Sequence, residues 1–137
     1  MANPLYDNLI GKHATNDACF LRQPGKPTVS FRQFSERTSQ VANLLLKHGL
    51  KPGDRVAVQA SKTVEMVILY GATIQAGGVF LSLNTDYKKD EISYFIKDAS
   101  PKIFVCDPQK RKELEQITGQ VGSVSYTHLT LPTTEAV

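Results

Sequence analysis

The chain reads as an α/β protein: a parallel sheet with flanking helices, preceded by a short β-hairpin. Two observations predict it. From Phe31 onward, segments with apolar residues at helical spacing alternate with short apolar runs, in the order helix, strand, helix, strand, helix, strand, helix. The runs at 79–83 and 102–106 are apolar almost without interruption, as strands of a parallel sheet covered on both faces are.

The elements follow in order. Residues 17–23 and 28–31 read as two short strands around Pro24-Gly25-Lys26-Pro27, which is turn chemistry, so the pair makes the hairpin. Ser30 and Gln33 have the spacing of a capping box, in which each side chain satisfies one orphan backbone donor. A helix near 33–48 follows, with Phe34, Val41, Leu44 and Leu45 on one face and Gly49 as its stop. Lys51-Pro52-Gly53-Asp54 is a tight turn into a strand at 55–59. Ser61 is read as the cap of a second helix near 62–76. That helix is apolar on most sides, which implies packing against both a sheet and another helix. Gly77-Gly78 end it, and the strand at 79–83 follows. A polar loop at 84–89 leads to a third helix near 90–99, with Ile92, Phe95 and Ile96 on one face. After the strand at 103–106, Asp107 is read as an N-cap and Pro108 as a first helical residue. A fourth helix near 109–117 follows.

The formal net charge of +3 is spread among mixed signs, without the one-faced clustering that nucleic acid binding needs. Lys110-Arg111-Lys112 is followed by Glu113 and Glu115, the pattern of a solvated helix face. Cys19 and Cys106 each sit in an apolar, strand-like run without a C-x-x-C spacing, and are expected as buried free thiols. The stretch from Val64 to Leu83 is interrupted by Glu65, Gln75 and the Gly pair and falls short of a membrane span. The N-terminus lacks a basic region followed by an apolar one, so no secretion signal is read there. A cytoplasmic location is expected.

Few residues announce chemistry. No G-x-G-x-x-G opens a helix, and no G-K-[ST] loop occurs. Gly77-Gly78 follow a helix and read as a stop, not as a phosphate cradle. His48 falls in the last turn of its helix, where a cation suits the dipole. His13 stands alone. Asp54, Asp86, Asp98 and Asp107 are scattered over turns and caps, without the paired spacing of a metal or acid–base site. No catalytic, cofactor-binding or metal-ligating residue is assigned.

The end of the chain reads differently. Residues Val124 to Thr133 correspond codon for codon to the transposon end used in sequencing-library preparation, and the flanking adapter bases fit Ser123, Thr134 and Val137. Residues 123–137, His128 among them, are therefore expected to be an adapter-derived, non-native tail, disordered or only loosely docked from Val124 to Val137. Residues 1–122 are expected to be the opening portion of a longer gene product. Cutting such a sheet leaves apolar surface and sheet edge uncovered.

Three segments carry a family resemblance. Thr28-Val29-Ser30-Phe31-Arg32-Gln33-Phe34 with the helix after it, Gly49-Leu50-Lys51-Pro52-Gly53-Asp54-Arg55-Val56, and Ala76-Gly77-Gly78-Val79-Phe80-Leu81-Ser82-Leu83-Asn84 occur in order. Together they resemble the start of AMP-forming acyl-CoA synthetases, the adenylating superfamily that includes luciferases and peptide-synthetase adenylation domains. Ser82 stands where that family usually has proline. Within the superfamily, the stretch from Leu69 to Tyr87 and the stretch from Glu91 to Pro108 are very similar to malonyl-CoA synthetases.

The resemblance implies the opening part of the large N-terminal domain of an adenylating enzyme. It implies a ligase that joins a carboxylic acid, malonate above all, to CoA through an acyl-adenylate, with ATP and Mg2+. It places the phosphate loop, acyl pocket and late lysine downstream of this stretch. The piece itself is then expected to be inactive and to bind ATP, CoA or Mg2+ poorly. A free-standing α/β binding or interaction module is the alternative reading.

Overall fold

The structure is a computed structural model. It describes residues 3–118 and 125–127, with Thr118 and the last three described by their backbone alone. A helix not anticipated from sequence opens it: α1, Pro4–Leu9, with Asn3 accepting from the Tyr6 N–H and Pro4 in the first turn. The Asn3 amide also donates to the Ile74 carbonyl at 2.8 Å, tying the N-terminus to a later helix. A single 3-10 turn, Gly11–His13, follows.

The expected hairpin is present. β1, Cys19–Leu21, pairs antiparallel with β2, Val29–Ser30, with a register shift between Cys19 and Leu21. Arg32 locks it from outside: Nε reaches Asp17 Oδ1 at 2.6 Å and Nη2 reaches Oδ2 at 3.2 Å. That hydrogen bond, and next the guanidinium charge, hold the Asp17 carboxyl below the ordinary carboxylate range.

α2, Phe31–Lys47, begins at the predicted capping box. The Gln33 N–H donates to Ser30 Oγ at 3.0 Å, and the Ser30 N–H donates to Gln33 Oε1 at 2.9 Å. Gly49 takes φ +88° just past the helix, where a Cβ would be strained.

β3 is Arg55–Gln59, α3 Val64–Gln75, β4 Val79–Ser82, α4 Lys89–Ala99 and β5 Ile103–Cys106. A 3-10 turn, Pro108–Lys110, precedes α5, Arg111–Thr118. Among the described residues the pairings of the four-stranded sheet are all parallel, in the order β4-β3-β5-β6, where β6 is Ser125–Thr127. Alternation along the strands divides the core. Val56, Val58, Ile103 and Val105 face α2 and α3. Ala57, Phe104 and Cys106 face α4 and α5 with Ile92, Ile96, Leu114 and Ile117. The fold class read from the sequence is therefore observed.

Several local expectations are corrected. Ser61 does not cap α3; Thr63 does, accepting from the Met66 N–H at 3.3 Å, so the helix starts two residues later. Asp107 precedes a helical turn but its carboxylate makes no cap bond, because it is engaged elsewhere. Cys106 is buried as expected, whereas Cys19 is exposed: its strand is in a two-stranded hairpin, not the sheet. The run at 79–83 was expected to be buried on both faces, yet β4 is an edge strand with Val79 half exposed.

Residues Ser125–Thr127 run parallel to β5 as β6, docked onto the sheet by backbone pairing. The physical reason is that a sheet edge offers backbone donors and acceptors to any extended segment, and Tyr and Thr suit a strand. The rest of the tail lies outside the described residues.

Candidate functional site

The sheet order itself creates a site. From β3 the chain passes through α3 to β4 on one side, then returns through α4 to β5 on the other side of β3. The loops leaving the C-terminal ends of β3 and β5 therefore diverge onto opposite faces. Such a switch point leaves a crevice at the carboxyl ends of the strands, where open α/β sheets bind ligands.

Here the crevice is a cavity of about 270 Å³, with Val58, Met66, Leu69 and Val105 as apolar walls and Ser61 and Asp107 at its rim. The two rim residues clasp each other. Asp107 Oδ2 accepts from Ser61 Oγ at 2.9 Å and from the Ser61 N–H at 3.1 Å. The clasp explains both corrections above: Ser61 and Asp107 tie two loops across the switch point instead of capping helices.

A second cavity of about 600 Å³ lies beside it, between the loops after β3 and β4, with Ser61, Lys62, Ser82, Asn84 and Thr85 among its walls. The β4–α4 loop is pinned from two directions. Gln59 at the end of β3 donates its amide to the Asn84 and Tyr87 carbonyls at 2.9 and 3.3 Å. Lys110 donates to the Thr85 carbonyl at 2.8 Å. The lysine of the basic run thus serves loop geometry, while Arg111 pairs with Glu115 one turn on at 2.9 Å.

What this arrangement does chemically is orient loops. Ser61 is bonded to a carboxylate with no imidazole between them, which is not the relay of a nucleophilic serine. The histidines among the described residues are elsewhere: His13 lies against the Phe31 ring, and His48 Nδ1 sits 2.9 Å from the Leu44 carbonyl at the end of α2. Gly77, at φ +84°, follows the C-cap of α3. Asp54 accepts from the Lys51 N–H within its turn. Among the described residues, no group of three or more His, Cys, Asp or Glu could hold a metal ion. The lining of the crevice includes the carboxylates of Glu65 and Asp107 and, among the described residues, no lysine or arginine, so it offers no cation to a polyphosphate. No step is derived through a polyphosphate there. No helix among the described residues is long and apolar enough to cross a membrane.

Sequence reasoning assigned no site residue, and it missed the clasp and the Gln59 latch. Both depend on which strands become neighbours, and no local spacing encodes that.

Comparison with known proteins places this arrangement. The family described as AMP-binding enzyme matches residues 11–136. The crystal structure of apo MatB from Rhodopseudomonas palustris matches with a TM-score of 0.86 and 41% identity, covering 94% of this chain and 26% of that one. ATP-bound MatB from the same organism matches with a TM-score of 0.84 and 42% identity, over 90% of this chain and 25% of that one. Among curated proteins, tyrocidine synthase 2 of Brevibacillus parabrevis is 39% identical over 77 residues, 56% of this chain and 2% of the synthase. The chain thus spans about a quarter of the solved structures it resembles and a few per cent of the curated relatives.

Proposed function

Since the chain belongs to the AMP-binding enzyme family, we propose that it is the opening part of an acid–CoA ligase whose reaction runs through an acyl-adenylate. The proposed acid is malonate and the product malonyl-CoA. A carboxylate is a poor electrophile; its attack on the α-phosphorus of ATP expels pyrophosphate and leaves an acyl-adenylate, from which the CoA thiol, losing its proton, displaces AMP. The observation that carries this reading is the likeness to MatB, taken as a malonyl-CoA synthetase, at 41% identity over 94% of the chain. The curated peptide synthetases support only the broader adenylating class, at lower coverage.

In this reading residues 1–122 supply scaffold: a parallel sheet with its loops fixed by the Ser61–Asp107 clasp. Residues 123–137 are read as non-native. The test is to extend the gene from its source DNA, express the full enzyme, and measure CoA thioester formation with malonate, acetate, succinate and a medium-chain acid. Malonate is expected to be turned over with a kcat/KM at least about tenfold above the others, one missing or extra methylene being worth that much in a shaped pocket. Preference for another acid would reject malonate but keep the ligase. No thioester with any acid would reject both.

A further inference from the structure

The loop at 84–88 is a wall of the larger cavity, and it is held by a side chain in an uneven position. Gln59 is fully buried at the end of β3. Its amide nitrogen serves two carbonyls of the loop, Asn84 and Tyr87, while its Oε1 is buried without a hydrogen-bond partner among the described residues. Flipping the amide would set that oxygen against both carbonyls, so the orientation is fixed by the network. A buried orphan acceptor offsets a large part of what the two bonds contribute. The remaining ties on this loop are local or apolar. Lys110 is a solvent-side donor to Thr85, the Asp86 N–H donates to the Asn84 side chain at 2.9 Å and the Tyr87 N–H to the Asn84 carbonyl at 3.1 Å within the loop, and Tyr87 stacks on Phe95 at 5.1 Å and packs, partly buried, against the core.

We propose that residues 84–88 form a strap latched by Gln59, which opens locally at far lower cost than the sheet and thereby sets access to the cavity of about 600 Å³ at the ends of β3 and β4. The latch sits between two rigid parts. β3 is paired on both sides, and α4 is anchored by Ile92 and Ile96 in the core. Opening therefore needs the loop to move and the partly buried Tyr87 to leave the core cluster it packs against. Asn84 and Thr85 line the cavity directly, so release of the strap removes one of its walls. This inference does not depend on which acid the enzyme activates.

Hydrogen exchange read by mass spectrometry on the 137-residue chain tests it, because the Asp86 and Tyr87 amides donate within the strap. In the unmodified chain, exchange across 84–88 is expected to be independent of low urea, while exchange in β5 follows global unfolding. Gln59→Leu, which removes the donor and the orphan together, is expected to speed strap exchange by about tenfold, with α2 unchanged. Lys110→Met should change it by no more than about twofold, as a solvent-side bond would. The proposal is overturned if the strap of the unmodified chain exchanges only through global unfolding. Unchanged strap exchange in Gln59→Leu would overturn it as well. The urea series needs no variant and decides even if Gln59→Leu fails to fold.

Discussion

β4 and β5 are four-residue strands of similar composition, Val-Phe-Leu-Ser and Ile-Phe-Val-Cys, and they end up in different environments. Every residue of β5 is buried; Ile103 and Phe104 have no accessible surface. In β4, Val79 is 49% exposed and Phe80 and Leu81 are half-buried. The difference lies in their neighbours. β5 has β3 on one side and β6 on the other, with helices on both faces, whereas β4 among the described residues pairs only with β3. An apolar run states that a segment can be a buried strand. Its place in the sheet order decides whether it is one.

The comparison can be broken at a matched pair of phenylalanines. Phe104→Ala in β5 empties a fully buried site and is expected to cost about 3–5 kcal/mol, a large share of a domain's stability of about 5–15 kcal/mol. Phe80→Ala in β4 should cost only about 1 kcal/mol, since its ring is partly solvated and meets Tyr70 edge-on at 5.2 Å. Urea denaturation of both variants measures the contrast. Equal losses would mean that β4 is as enclosed as β5.

α3 carries the same contrast within two adjacent residues. A Cβ on Gly71 would meet Ile10 Cδ1 at 3.0 Å and Thr38 at 3.2 Å, so Gly71→Ala is expected to destabilise by about 1–3 kcal/mol through overpacking. Neighbouring Tyr70 is 42% exposed, so Tyr70→Lys should fall within about 0.5 kcal/mol of the unmodified chain. A shift in melting temperature for Gly71→Ala alone supports the close α2–α3 approach.

The smallest effect belongs to the hairpin, outside both strands. Arg32 lowers the Asp17 carboxyl, so the folded form binds its proton less readily than the unfolded chain. The stabilisation is then present above the unfolded value, near 3.9, and disappears as pH falls through the lower folded value. Both side chains are solvent-exposed, so the effect is small. Asp17→Asn is expected to be slightly less stable at neutral pH and indistinguishable in strong acid. A gap that stays constant as the pH falls through that range would remove the ion pair from the account.

Much of the fold was legible because it is written locally. The Ser30–Gln33 capping box, the glycines after α2 and α3, and the helical spacing of Val41 and Leu45 each act within a few residues. The edge position of β4 and the exposure of Cys19 were not legible, because both follow from which strands pair. Ser61 and Asp107 show the limit most clearly. Each has the composition of a helix cap, yet 46 residues apart they find each other across a switch point that only the sheet order creates. Ser125–Thr127 dock for the same non-local reason: the edge of β5 accepts their backbone.

The central claim is that this chain carries the scaffold of an adenylating enzyme and not its chemistry. ATP–pyrophosphate exchange with malonate, measured on the 137-residue chain beside the gene-extended enzyme, tests it most directly. Exchange by the extended enzyme, with the short chain indistinguishable from a blank lacking protein, is the predicted result. Exchange by the short chain above that blank would contradict the claim and place reacting groups at the carboxyl ends of β3 and β5.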